Sequence, residues 1–170
     1  MKKKILVVFV AVLAVVMLAT PVLGDSPKKI PVTVEHSGGY FTPPPPEAVW
    51  TSGNVQHGRG FTGGHDSWNV SIDGEVFLSG SMETTYGAYN INLKSGQGVI
   101  RRNMVVTVDG GTFEGVQIQH GICGLMGGVF PFLMDGKIQV VFQGTGEYLG
   151  WTLVRTRQTD EPWETYLLIP

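Results

Sequence analysis

From Val49 to the C terminus, apolar and polar residues alternate, and glycines interrupt the alternation about every ten residues. A period of two places apolar side chains on one face of an extended strand. Glycine and Asp-Gly pairs supply the turns between such strands. No stretch of this region has the spacing of a helix. The pattern predicts an all-β fold, a single antiparallel β-barrel of about eight strands, a number that can close a sheet without exposed edges.

The clearest predicted hairpin is "WNVSI-DG-EVFLSG" at residues 68–80, because Asp73-Gly74 can adopt the positive φ values of a two-residue turn. A last hairpin joins "KIQVVFQ" to "YLGWTLVRTR" around "GTGE", and "ETYLLIP" adds a closing strand. The residues predicted to share the inner face of the first hairpin are Trp68, Val70, Ile72, Val76, Leu78 and Met82.

The pentapeptide "GTFEG" at residues 111–115 is echoed by "GEYLG" at residues 146–150. Glycine within strands marks bulges, corners or close approach of the backbone. Neither copy has the Lys-Ser or Lys-Thr of a phosphate-binding loop. We therefore expect both copies to be strand-entry corners of a curved sheet, each with a large ring over the corner.

The N-terminal segment has the three parts of a secretory signal peptide. Three lysines precede an apolar run over residues 5–19, and small residues end the segment at Gly24. Cleavage before Asp25 would place the domain outside the cell. The alternative is an uncleaved membrane anchor, since residues 5–23 could span a bilayer. The predicted organisation is a signal peptide or anchor at 1–24, a Pro-rich leader or linker at 25–47 and the barrel at 48–170.

The net charge limits the classes of binding partner, and the cysteine content limits the possible disulfides. Loss of residues 1–24 removes three of the twelve basic residues and leaves nine against fourteen acidic ones, a net charge of −5. An acidic domain without a basic cluster is a poor ligand for nucleic acid or for an anionic membrane. The single cysteine, Cys123, excludes an intrachain disulfide and is expected to be an inert buried residue.

Strand parity also predicts polar groups inside an apolar barrel. Arg102 shares a face with Ile100 and Met104, whereas Glu114 and His120 share one with Ile118. An apolar cavity with a few polar groups is the usual make-up of a small-molecule pocket. The residues predicted to bind a ligand are His57, Arg59, Arg102, His120, Phe142 and Trp151.

A histidine beside a carboxylate can act as a general acid or base, which makes His120 and Glu114 the candidate catalytic residues. No nucleophile elbow, zinc-protease motif or paired-carboxylate signature occurs. His57, His65 and His120 could be combined with Asp66 in a zinc site, but their spacing matches no familiar zinc motif. We predict no metal and no other cofactor.

The strings "WTSGNVQHGRG", "GTFEG" and "GTGEYLGW" resemble the glycine-cornered strands of the allene-oxide-cyclase-like and dirigent-like β-barrels over about residues 49–157. The resemblance implies a small eight-stranded barrel with a central cavity. That family includes a cyclase of fatty-acid epoxides and proteins that orient phenoxy-radical coupling. No catalytic residue of the family matches a position in this chain.

Three functional hypotheses follow. The first is a secreted, non-enzymatic barrel that binds a small apolar ligand in its interior. The second is an isomerase or cyclase-like enzyme of the barrel type named above. The third is a structural cell-surface domain held by an uncleaved N-terminal segment. Homo-oligomerisation is compatible with all three.

Overall fold

The computed structural model describes residues 26–40 and 45–170 as one antiparallel sheet of ten strands. The predicted signal peptide and the first half of the proline tract lie outside the described residues. No helix in the described part of the chain is long and apolar enough to cross a membrane. The strands are β1 (Lys28–Pro31), β2 (Thr33–Tyr40), β3 (Ala48–Ser52), β4 (Val55–Ile72), β5 (Glu75–Asn92), β6 (Gln97–Val108), β7 (Gly111–Met126), β8 (Phe130–Gly144), β9 (Thr152–Gln158) and β10 (Glu164–Ile169).

The sheet curls into a nearly closed barrel, as the sequence predicts. Strands β4 to β10 pair in sequence order, β1 pairs with β10, and β2 pairs with β4. Only Val32 separates β1 from β2, so one bent strand joins the two edges of the sheet. Counting that strand once and leaving out β3, which pairs only with β4, gives eight positions around the barrel.

The predicted boundary at residue 48 is wrong, because β1 and β2 lie within the segment expected to be a leader. Lys28 pairs with Ile169 at one end of this segment, and Val34 pairs with Val70 further along it. Without these strands, β10 and β4 would each present an unpaired edge. The weakly alternating string "IPVTVEH", residues 30–36, is compatible in sequence with a first strand as well as with a leader, and it is part of the barrel.

Apolar side chains fill one end of the barrel. Trp68 lies at its centre, with ring centroids 6.1 Å from Phe113 and 6.3 Å from Phe142. Phe142 is 1% exposed and packs in this core, which corrects its prediction as a pocket residue. This end is therefore solid protein, unlike the central cavity that the family resemblance implies. Its other buried members are Val32, Val70, Leu78, Met104, Val106, Val108, Ile138, Val140, Leu153 and Leu167.

The first hairpin forms around Asp73 and Gly74, whose φ values of 51° and 86° confirm the predicted turn. Its predicted inner face needs one correction, since Val76 is 59% exposed. Val70 pairs with Leu78 while Ser71 pairs with Val76, so one strand carries an extra residue. This β-bulge in β5 reverses the inward and outward orientation of the β5 residues between the bulge and the turn.

The two echoed pentapeptides meet at the filled end of the barrel. "GTFEG" opens β7, as predicted, whereas "GEYLG" forms a short 3-10 turn between β8 and β9 rather than the entry of a strand. Their rings, Phe113 and Tyr148, lie 5.2 Å apart, and the Tyr148 hydroxyl donates to the Asp109 carbonyl over 2.8 Å. A side chain at Gly115 would overlap the Val141 carbonyl. The repeated pattern therefore builds one aromatic corner.

At the opposite end, β7 and β8 continue beyond β6 and fold over the sheet. Gly121 and Gly136 pair with each other, and both have φ of 145°, which strongly favours glycine. We call residues 121–136 the flap. Gln56 on β4 donates to the carbonyl of Gly128 at the flap tip over 2.8 Å. The flap covers a second cluster, which consists of Phe61, Tyr89, Ile91, Ile100 and Cys123 with Leu125 and Leu133 against it.

Candidate functional site

An apolar groove lies between the tip of the flap and the inner face of β6. Its volume is about 520 Å³, within the range of small-molecule sites. Met126 is 58% exposed and Phe132 is 45% exposed, so the groove presents large apolar side chains to solvent. The lining residues are Arg102, Leu125, Met126, Phe130, Pro131 and Phe132.

Among the described residues, Arg102 is the single charged one that lines this groove. It stands on β6 between buried Ile100 and Met104, which confirms the face predicted for it. Its guanidinium carbon lies 5.8 Å from the centroid of the Phe61 ring. Burial lowers the pKa of Arg102, although an arginine remains protonated at neutral pH. The groove thus combines apolar walls with one fixed cation.

His57 and Arg59, predicted to face the interior, lie on the outer side of β4. The His57 ring stacks on Trp50 at 5.0 Å, and Arg59 donates to the Tyr89 carbonyl over 2.7 Å. Gly58 takes the inward position between them, where any side chain would overlap the Tyr89 ring. The parity prediction failed here because an inward glycine contributes no apolar signal to the sequence. Arg59 instead borders an outer groove of about 480 Å³ that also includes Arg101.

His120 and Glu114 are likewise exposed on the outer face of β7, contrary to the predicted inward orientation. The inward positions belong to residues such as Phe113 and Gln119, which are buried. Six residues along one strand separate His120 from Glu114, or about 20 Å. The two side chains therefore cannot share a proton-transfer step.

Two other predicted positions lie apart from the groove. Trp151 packs in the aromatic corner, 5.3 Å from Tyr148 and 5.7 Å from Phe77 between ring centroids. His65 is 72% exposed and faces Glu83 at 3.9 Å. Among residues 26–40 and 45–170, no three metal-ligating side chains of the His, Cys, Asp and Glu type come together. Of the predicted ligand-binding residues, Arg102 alone lines the apolar groove.

A polar layer crosses the barrel interior above the filled end. One row of paired residues runs Arg102, Gln117, Val140 and Arg155 across four adjacent strands. The Gln119 side chain donates to that of Gln117 over 2.8 Å. Strand parity places Arg155 on the same side as Leu153, although Arg155 is not among the residues predicted to bind a ligand. The inward residues of β7 include Gln117 and Gln119 because this face of the strand borders the polar layer.

His36 on β2 anchors Arg155 within that layer. A terminal guanidinium nitrogen of Arg155 donates a hydrogen bond to His36 Nε2 over 2.6 Å. This bond requires His36 Nε2 to carry no proton. His36 Nδ1 lies 4.0 Å from a carboxylate oxygen of Asp66. Burial first, and then Arg155, lower the pKa of His36, and Asp66 opposes the shift. His36 is therefore neutral at physiological pH.

Comparison with protein-family models gives no match. Comparison with curated proteins gives no match either. Among solved structures, the chain is similar to one described as "Pyocyanin demethylase", with 17% sequence identity and a TM-score of 0.39. The alignment covers 83% of this chain and 98% of that one.

Proposed function

We propose that this protein is a secreted, non-enzymatic β-barrel that binds a small apolar ligand in the groove between the flap tip and Arg102. The N-terminal sequence pattern supports export. The groove supports binding, and its five apolar lining residues beside one fixed cation are the observation that carries the proposal.

The exposed side chains of the flap supply the driving force. Met126 and Phe132 each leave about half of their surface in water. Complete burial of one such side chain contributes about 1.5–3 kcal/mol, so covering the remaining halves of two gives about the same amount in total. The ligand gains a similar term from its own buried surface, and the sum of about 3–6 kcal/mol corresponds to a dissociation constant between several millimolar and tens of micromolar.

Arg102 gives the groove an orientation. It is fixed by β-sheet pairing with Gly87 and Gln117, whereas the apolar lining belongs to the flap. An apolar body therefore rests against the flap, and the ligand's more polar end points toward β6. Specific polar groups in an otherwise apolar lining commonly set orientation in this way.

Titration with Nile red, a neutral apolar dye, tests the groove directly. Binding should raise the dye's fluorescence and shift its emission to shorter wavelength. Phe132→Ser removes a half-exposed lining ring and should weaken binding about tenfold, because it removes part of the apolar contact. Leu149→Ser is the matched control, since Leu149 is the most exposed large apolar residue of the described part of the chain and lies in the aromatic corner.

Absence of saturable dye binding, or equal weakening by the two substitutions, would refute the groove. Native mass spectrometry of the protein recovered from its host, followed by extraction, identifies a co-purifying ligand. The same spectrum tests export: a mature chain starting at Asp25 supports secretion. A chain retaining residues 1–24 would favour an anchored protein.

A further inference from the structure

Two arginines of β9 face the barrel interior at the level of the polar layer. Arg155 is 3% exposed, and Arg157 lies on the same face one pleat away, opposite Ile138. The guanidinium carbons of Arg155 and Arg157 lie 4.3 Å and 4.9 Å from the centroid of the Trp163 ring. Two cations thus share one indole beside the polar layer.

The hydrogen bonds of this pair are incomplete. A guanidinium has five N–H donors and no acceptor. The Nε atoms of Arg155 and Arg157 are both buried and have no hydrogen-bond partner among the described residues. A buried donor without an acceptor costs about 1–3 kcal/mol, so this arrangement favours a ligand that supplies acceptors.

No carboxylate of the described chain neutralises the pair. Asp66 meets His36 rather than an arginine, and neither Arg155 nor Arg157 forms an ion pair within the described residues. Burial first, and then the charge of Arg157, lower the pKa of Arg155 to about 10. Arg155 therefore remains protonated at neutral pH, and the two neighbouring guanidinium groups, which have no ion-pair partner among the described residues, leave a local excess of positive charge.

An open groove gives access to Arg157. Its volume is about 540 Å³. Glu161 and Glu164 line it as well but form no ion pair with Arg157 in the described structure, and Lys137 adds a further cation. Arg155 and Trp163 are not among its lining residues, so a small anion that enters this groove meets Arg157 first.

We infer that Arg155, Arg157 and Trp163 form a binding site for a small organic carboxylate with an apolar body. Planar guanidinium groups match the two oxygens of a carboxylate, and the indole offers an apolar surface beside them. This inference does not depend on the apolar groove, because it rests on different residues and a different charge balance.

Benzoate and benzyl alcohol form a matched pair of probes that differ in charge. Isothermal titration of the full mature domain should give benzoate an affinity at least about tenfold higher than that of benzyl alcohol, since hydrogen bonds to charged groups are the stronger ones. Arg157→Gln should abolish that preference. Arg101→Gln, on the exposed outer face, is the control and should preserve it.

A second readout uses the unsubstituted protein and so does not depend on the stability of a variant. Benzoate should shift the Nε–H NMR resonances of Arg155 and Arg157 in a saturable manner, and benzyl alcohol should leave them unchanged. Equal affinity for the two probes, benzoate binding that survives Arg157→Gln, or unshifted arginine resonances would overturn the inference. Nile red binding retained in that case would leave the apolar groove standing.

Discussion

Substitution of Gly121 by alanine should open the flap. Gly121 has a φ of 145°, and an added Cβ would overlap the carbonyl oxygen of Asp135 on the paired strand. Backbone strain of this kind costs about 1–3 kcal/mol. Moving the Asp135 carbonyl away also weakens a cross-strand hydrogen bond, at about 0.5–1.5 kcal/mol. We expect a total penalty of about 1.5–4.5 kcal/mol on the docked flap.

Cys123 reports this opening, because it is the only cysteine and belongs to the flap, where its side chain is buried against the barrel and burial raises the pKa of its thiol. When labelling by a thiol reagent requires flap opening, a penalty of 2 kcal/mol raises the labelling rate about 30-fold at constant pH. Gly74→Ala is the control. Gly74 has a φ of 86° with open space around its α-carbon, so its substitution strains a distant turn without a clash.

The interpretation requires faster labelling in Gly121→Ala and unchanged labelling in Gly74→Ala. Equal labelling rates of Cys123 in Gly121→Ala and in the unsubstituted protein, together with an unchanged free energy of unfolding, would refute the role of Gly121 in docking the flap. A fall in global stability without faster labelling would show instead that the flap and the barrel unfold as one unit.

Three further outcomes test the core, the corner and the polar layer. Phe113→Ala should lower the free energy of unfolding by about 3–5 kcal/mol in urea denaturation, while the same change at exposed Phe77 should cost far less. Tyr148→Phe removes a hydrogen bond at the aromatic corner and should cost about 0.5–1.5 kcal/mol by the same measurement, so an unchanged midpoint would contradict that bond's contribution. Since the folded protein lowers the pKa of His36 below 6.5, the unfolded chain binds protons first, and stability should fall as the pH drops below about 6.5. His36→Gln should flatten this pH dependence of stability, and His65→Gln should not. Urea denaturation of both variants at pH 5 and pH 7.5 tests this, and an unchanged pH dependence in His36→Gln would contradict the role given to His36.

Local rules were sufficient for much of the barrel. Alternation and turn chemistry predicted the all-β class, the Asp73-Gly74 hairpin and the closing strand at the C terminus. These features depend on neighbouring residues in sequence, where a period of two and a positive φ act directly. The buried face shared by Ile100 and Met104 followed from the same parity, and it placed Arg102 on the inner side.

Parity failed where the interior is not apolar. The inward face of β7 carries Gln117 and Gln119, so the outward face with exposed Ile118 gave the stronger apolar signal in the sequence. On β4, Gly58 occupies a buried inward position and contributes no apolar signal. Burial on these strands is set by what neighbouring strands present, such as the Tyr89 ring over Gly58, rather than by the residue itself.

The sequence by itself determined the strands and turns that depend on neighbouring residues, and it indicated one buried cysteine. Tertiary structure alone decided how the barrel closes, where the flap folds and which polar groups meet. Closure joins residues far apart in sequence, as when Lys28 pairs with Ile169. The meeting of His36 with Arg155 spans 119 residues. The alternation of apolar and polar residues along the chain does not encode such contacts. They depend on the register of the sheet, and on the unpaired edges and uncovered apolar surface that each added strand leaves.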